Sequence, residues 1–208
     1  IKYMDILQKL KNNQRRIGLT GGIASGKSTI TNYIRDHKKI PIIDADNLSK
    51  ELIKPNTYGY KKILAYFGNQ IIDNKNNSKK SINRKLLKNI IFNNAKSKEW
   101  IEKLLHPLIK EKMIEECIQY KNNQTILLVI PLLFEAKFED ICTEIWLVKC
   151  RKELQKERLI KRDKISEKEA YEIINLQLSF EEKRKLSDVI LDNSEDKNKW
   201  INTIGELI

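Results

Sequence analysis

The run Gly21-Gly22-Ile23-Ala24-Ser25-Gly26-Lys27-Ser28-Thr29 constrains this chain more than any other segment. From Gly21 to Ser28 it fits G-x-x-x-x-G-K-[ST], the phosphate-binding loop. Arg16-Ile17-Gly18-Leu19-Thr20 before it reads as a short buried strand, and Ser28-Thr29-Ile30-Thr31-Asn32-Tyr33-Ile34 after it reads as a helix. Strand, glycine loop and helix in that order is the context the motif requires. Glycine lets the backbone wrap round phosphate oxygens where a Cβ would obstruct it. Successive N–H groups and the positive end of the helix then hold the anion. In this pattern Lys27 reaches the β- and γ-phosphates of a nucleoside triphosphate and Ser28 ligates Mg²⁺. A glycine-rich turn without a ligand is the bland alternative.

The rest of the chain alternates in the α/β manner. Residues 39–43 form a second strand ending at Asp44, 125–130 a third, 144–149 a fourth and 189–191 a last short one. Residues 152–162 make a basic helix that breaks at Asp163-Lys164-Ile165. Ser166, with Glu169 three residues on, is a capping box that starts a new helix towards Gln177. Residues 196–208 close the chain as a helix with Trp200, Ile204 and Leu207 on one face. Residues 55–123 differ: helical stripes run through 83–92 and 98–120, with Pro107 expected to kink the second, and Gly68-Asn69 and 73–80 read as loop. The expected architecture is a five-stranded parallel sheet with helices on both faces and a helical insertion between strands.

The 208 residues suit one α/β domain with insertions, and 40% hydrophobic residues are enough for a sizeable core. No apolar run approaches the ~20 residues that span a bilayer, so no membrane partner is expected. The net charge of +12 comes from forty Lys plus Arg against twenty-eight Asp plus Glu. Lysine is spread along the chain rather than clustered, so nucleic acid is not the expected partner. Cys117, Cys142 and Cys150 lack C-x-x-C spacing and support neither a disulfide framework nor a zinc site, which points to a reducing cytoplasm. Residues 1–14 have Ile1, Met4, Leu7 and Leu10 at helical spacing, lack the apolar core of a secretory signal, and are assigned no function.

A phosphate loop binds a triphosphate but does not name the acceptor. Asp44 and Asp46 follow the second strand, at the rim where α/β sheets bind ligands. Phosphoryl transfer to a hydroxyl needs a carboxylate to orient it and accept its proton, and Mg²⁺ needs oxygen ligands. In an extended segment residues 44 and 46 share a face, one serving the metal and the other the acceptor. The alternative is that Asp-Ala-Asp merely caps a helix beginning near Asn47. Arg158, Lys161 and Arg162 precede the Asp163 break, where they suit either a lid closing over the nucleotide or a solvated basic face. His106 has only His37 as a fellow histidine in the chain, so a histidine metal site is improbable and a structural role is the simpler reading.

Taken together, several segments resemble the dephospho-CoA kinase family. Residues 17–29 are similar to its opening, and Ile43-Asp44-Ala45-Asp46 to its D-A-D. Leu105-His106-Pro107-Leu108-Ile109 resembles its L-H-P segment, and Val129-Ile130-Pro131-Leu132-Leu133-Phe134-Glu135 its V-x-P-L-L-x-E strand. Arg158 through Asp163 resembles its lid R-x-x-x-R-D, Gln177 its later glutamine, and Asp188-Val189-Ile190-Leu191-Asp192-Asn193 its terminal D-x-V-I-x-N. The matches run in order from residue 17 to residue 193.

The resemblance implies a P-loop kinase fold. Residues 15–54 and 124–208 would be its nucleotide-binding core, 55–123 its helical CoA-substrate insertion, and 158–178 its lid. It implies ATP-dependent phosphorylation of the ribose 3′-hydroxyl of dephospho-CoA, the last step of coenzyme A biosynthesis, by a monomer or weak homo-oligomer. Asp46 carries over as the base, and Gly22, Ile23, Ala24, Ser25, Gly26, Lys27, Ser28 and Thr29 as the ATP phosphate site. Ser28 and Asp44 would serve Mg²⁺, Arg158 and Arg162 the lid, and Asn193 the vicinity of the adenine. Leu105, His106 and Pro107 would lie near the dephospho-CoA, which by resemblance makes His106 a binder. Ser194 and Glu195 stand where the family often has glycine. Another nucleoside or nucleotide kinase is one rival. A GTPase switch is the second, but N-K-x-D is absent and Pro131 stands where a Walker B aspartate would follow the third strand.

Overall fold

The computed structural model describes residues 10, 13–73 and 80–208. The N-terminal stripe, apart from Leu10, and loop residues 74–79 lie outside these. Five strands form one parallel sheet: β1 (Arg15–Gly21), β2 (Ile42–Asp44), β3 (Thr125–Val129), β4 (Glu144–Lys149) and β5 (Val189–Asp192), in the order β2-β3-β1-β4-β5. Their near-continuous apolar character has a simple cause: a parallel sheet covered on both faces buries every side chain. Leu19 pairs with Val129 of β3 on one side and Trp146 of β4 on the other, which puts β1 at the centre. The strand order reverses around β1, and that switch point is where doubly wound sheets bind ligands.

The main core follows from two periodicities meeting. Alternate residues Ile17 and Leu19, Leu127 and Val129, and Trp146 and Val148 share one face of the sheet. Against them pack Ile30 and Ile34 of α1 (Lys27–Lys38), and Trp200 and Ile204 of the C-terminal helix, Lys197–Leu207. Both helical pairs are spaced i, i+4, so each helix presents one ridge.

The chain divides into two compact units. One comprises the described residues up to Asp44 together with Glu116–Ile208, and the other is Ala45–Glu115. The helical unit therefore starts ahead of the expected 55 and stops short of 123. Asp44 ends β2, and α2 (Ala45–Leu52) begins with the next residue. Ile53 already belongs to the second core, with Tyr60, Ile63 and Phe67 of α3 (Tyr58–Phe67). At the far boundary the buried Gln14 amide donates to the carbonyls of Cys117 (3.3 Å) and Tyr120 (2.9 Å), which ties the helix end beside β1. The rest of the second unit is α4 (Arg84–Asn93) and most of α5 (Ala95–Gln119), with an isolated bridge joining Ile72 to Ile82. Asn83 caps α4 by accepting from Leu86 N–H (3.0 Å), and Asn94 brings the start of α5 forward to Ala95 by accepting from Ser97 N–H (2.9 Å). α5 runs on through Pro107 as one helix.

The expected capping box is present: Ser166 accepts from Glu169 N–H (3.2 Å) while the Glu169 carboxylate accepts from Ser166 N–H (2.8 Å). It opens α7 (Glu167–Asn175), which follows α6 (Lys152–Asp163) across Lys164 in the left-handed conformation, φ 55°. A further helix, α8 (Phe180–Lys185), went unassigned in the sequence although the same signal stands at Ser179 and Glu182. The closing helix, α9, runs Lys197–Leu207 under an Asp196 cap. Ser166→Ala and Ser179→Ala should each lower unfolding stability by about 1 kcal/mol in urea titrations, the ordinary cost of losing a hydroxyl cap. Unchanged midpoints would show that neither box contributes.

Candidate nucleotide site

The loop between β1 and α1 leaves the central strand at its carboxyl end. Ser25 N–H donates to Gly22 O (3.1 Å), which closes a turn, and Ala24 takes φ 56°. Gly26 stands at φ 94°, and a Cβ added there would lie 2.0 Å from Asn193 Nδ2. Glycine is thus required at this position twice, by its backbone angle and by its neighbour. Lys27 Nζ donates to the carbonyls of Gly21 (2.7 Å) and Gly22 (3.1 Å), so the ammonium lies along the loop it is expected to serve. Ser28 and Thr29 are exposed in the first turn of α1, while Ser25 is fully buried with no hydrogen-bond partner for its hydroxyl.

Side chains distant in sequence hold this loop. Asn193, just past β5 and 8% exposed, donates from its amide to Ser25 O (2.9 Å) and accepts from Trp200 Nε1 (3.2 Å). The residue expected near the adenine thus directs its amide to the loop backbone. Arg158 of α6 reaches Ala24 O and Ser25 O, each at 3.4 Å. Gln177 Oε1, beyond α7, accepts from Ile23 N–H (2.8 Å). Arg162 instead forms a forked pair with Asp163 (2.7 and 2.9 Å), whose hydrogen bonds hold its guanidinium pKa above the ordinary arginine value.

Asp44 closes β2, paired in register with Val129. Asp46 is not on an extended segment with it. It is the second residue of α2, so the two carboxylates do not share a strand face, and the helix starts at Ala45 rather than near Asn47. The local reason is that Ala45 and Leu48 are buried as one helical stripe, which turns the chain immediately after β2. In the first turn of α2 the negative charge of Asp46 complements the helix dipole.

Asp46, Leu105, His106 and Pro107 all belong to the second unit. There Leu105 packs against the second core, and His106 is half-buried on α5. Burial pushes the His106 pKa below its ordinary 6.5, and Glu102 one turn earlier partly opposes that. Cys117 is a buried free thiol and Cys142 a half-buried one; desolvation pushes both up to about 12, which makes them unsuited to nucleophilic chemistry at neutral pH.

The donor set fits a magnesium nucleotide. Mg²⁺ is usually held by one or two protein oxygens plus phosphates and water rather than by a protein cage, and the Ser28 hydroxyl and Asp44 carboxylate are oxygen ligands of that kind. Two residues that line a cavity with Gly22 and Gln177 were not singled out from the sequence: Gln155 and Lys183. Lys183, 1% exposed, pairs with Glu135 at 2.8 Å, yet in sequence it is one of three consecutive cations.

The dephospho-CoA kinase family model matches residues 15–199. The chain belongs to the dephospho-CoA kinase family. It is accordingly a kinase. It is 85% identical to the dephospho-CoA kinase of Prochlorococcus marinus strain MIT 9312 over 205 residues, covering 99% of this chain and 100% of that one. With the enzyme of the same name from Synechocystis it shares 44% identity, covering 87% and 88% of the two chains. Among solved structures, dephospho-CoA kinase from Campylobacter jejuni is 30% identical with a TM-score of 0.67, covering 92% of this chain and 96% of that one. TT1252 from Thermus thermophilus, at 24% identity, shares the fold with a TM-score of 0.77, covering 94% and 97%.

The lowered His106 pKa gives stability a pH dependence. As pH falls through about 6.5 the unfolded chain takes up a proton that the folded histidine resists, so folding stability drops below that pH. His106→Gln should remove part of this loss. Urea titrations from pH 7 down to pH 5 should show the variant losing less stability than the parent, whereas parallel profiles would mean that the burial of His106 is thermodynamically silent.

Proposed function

We propose that this kinase transfers the γ-phosphoryl group of ATP to the ribose 3′-hydroxyl of dephospho-CoA, giving CoA and ADP. The carrying observation is a phosphate loop built on the central strand, in a chain matched to the family over residues 15–199. The loop from Gly22 to Thr29 holds the phosphate oxygens, and Lys27 meets the β- and γ-phosphates. Ser28 and Asp44 hold Mg²⁺, which when bound draws charge from the phosphate oxygens. Asp46 takes the hydroxyl proton as the new O–P bond forms in line and the bond to the β–γ bridging oxygen breaks. Arg158 and Arg162 belong to a lid made by α6 and α7 that covers the nucleotide. For Arg162 this requires exchanging Asp163 for phosphate, a trade between two bidentate anions. Asn193 acts on the nucleotide through the loop it holds. Leu105, His106 and Pro107 serve the dephospho-CoA side.

Among the described residues no helix is long and apolar enough to cross a membrane. A small water-borne substrate and a cytoplasmic location go with this reading.

The test is ADP release from MgATP with dephospho-CoA, adenosine, AMP and CMP offered separately. Turnover should occur with dephospho-CoA, yielding CoA by mass; turnover with AMP or CMP instead would reassign the acceptor. Asp46→Asn should lower kcat by about 10²–10⁴ while retaining ATP affinity. Lys27→Ala should weaken nucleotide binding and turnover together. Normal turnover in Asp46→Asn removes Asp46 from the base role.

A further inference from the structure

We propose that Gln177 is a positioning residue that fastens the α6–α7 pair to one peptide of the phosphate loop, with Gln155 packed against Gly22 at the other end of the pair, so that lid position and loop geometry change together. The proposal rests on the reading of α6 and α7 as the lid. The two helices pack on each other across the Lys164 turn and are joined by a Lys156–Glu167 ion pair.

Both ends of this pair return to Gly22-Ile23. At the first, Gln155 is buried in α6 and its amide lies against Gly22: a Cβ at residue 22 would come within 2.5 Å of Gln155 Nε2. At the second, Gln177 accepts the Ile23 N–H at 2.8 Å. Both polar groups of the Gly22–Ile23 peptide are hydrogen-bonded. Its N–H goes to Gln177, and its carbonyl accepts from Ser25 N–H (3.1 Å) and from Lys27 Nζ (3.1 Å). A peptide is planar, so turning one end turns the other. The Gln177 bond thereby sets the direction in which the Gly22 carbonyl meets the ammonium expected to contact phosphate.

Gln177 is itself firmly placed. Leu178 N–H donates to Glu135 Oε1 (3.2 Å), the same oxygen that pairs with buried Lys183 (2.8 Å), and the Ser179–Glu182 capping box starts at the following residue. The segment leaving the lid is thus anchored to the end of the loop after β3, with Gln177 projecting from the anchor. A cavity of about 260 Å³ lined by Gly22, Gln155, Gln177 and Lys183 adjoins the clamp.

The deciding variant is Gln177→Met, which keeps side-chain length and loses the acceptor. Three readouts apply: hydrogen exchange of the Ile23 amide, hydrogen exchange across 164–176, and MgADP affinity by calorimetry. The amide should lose protection, the lid segment should exchange faster, and MgADP should bind about three- to tenfold more weakly, the worth of one hydrogen bond. Gln177→Glu retains an acceptor oxygen and should restore Ile23 protection, which a purely structural defect would not do. If Gln177→Met does not fold, Gln177→Asn, one methylene too short to reach, carries the same readouts. Wild-type MgADP affinity, unchanged Ile23 exchange, or loop exchange that rises while the lid stays unaltered would each overturn the coupling. None of these readouts uses an acceptor, so failure to phosphorylate dephospho-CoA would defeat the proposed reaction and leave the clamp standing.

Discussion

A loop that wraps an anion can commit few of its own N–H groups to holding its shape, so most of its support comes from elsewhere in the chain. That constraint organises the nucleotide side of this protein. Asn193 fixes the Ser25 carbonyl from beyond β5, Arg158 reaches two loop carbonyls from α6, and Gln177 holds Ile23 from beyond α7. The Asn193 support comes straight from the sheet: β5 pairs with β4, β4 with β1, and the loop leaves β1. The phosphate loop is thus stabilised by residues more than 130 positions away, at the switch point of the strand order.

Features set by local chemistry were legible in the sequence. β4 falls on the expected 144–149, because Ile145, Trp146, Leu147 and Val148 form an uninterrupted buried run. The Ser166–Glu169 box is legible because its partners are three residues apart, and the break at Lys164 because a left-handed residue ends the helix there. α8 carried the same box and was readable by the same rule, but six residues hold too little periodicity to draw notice. The phosphate loop was legible for a related reason: its glycines, lysine and serine act within one contiguous segment.

What escaped depends on long-range placement. Lys183 sits among three consecutive cations, two of them solvated and one buried against Glu135, 48 positions away, so composition cannot separate it from its neighbours. Gln155 lies in a helix otherwise rich in charge and looks like one more polar surface residue, yet its burial depends on the absent side chain of Gly22. Asp46 shows the reverse error. Alternation suggested a strand face shared with Asp44, but the buried pair Ala45 and Leu48 turns the chain into α2 one residue after β2. Two residues of spacing mean a shared face in a strand and a rotation of about 200° in a helix, so the element boundary, not the motif, decides where the carboxylate points.

The same distinction sorts the cations behind the net charge of +12. Many exposed lysines pair one turn away, as Lys54 does with Glu51, Lys103 with Glu99 and Lys112 with Glu115, and such solvated pairs contribute little to stability. The cations that shape the molecule are few and have defined partners. Arg16 is buried beside the sheet and donates to the carbonyls of Ile141 (2.9 Å) and Gln14 (3.0 Å). Lys183 is buried on Glu135, and Lys27 and Arg158 lie on the loop backbone. Burying a cation costs several kcal/mol unless its donors are met, so buried Arg16 and Lys183 each specify one arrangement of the chain around them. Lys27 and Arg158 meet carbonyl oxygens, neutral acceptors that a phosphate oxygen outcompetes on charge. On the proposed reading, the contacts that hold these two cations in place are ones that an incoming triphosphate would replace without leaving either unpaired.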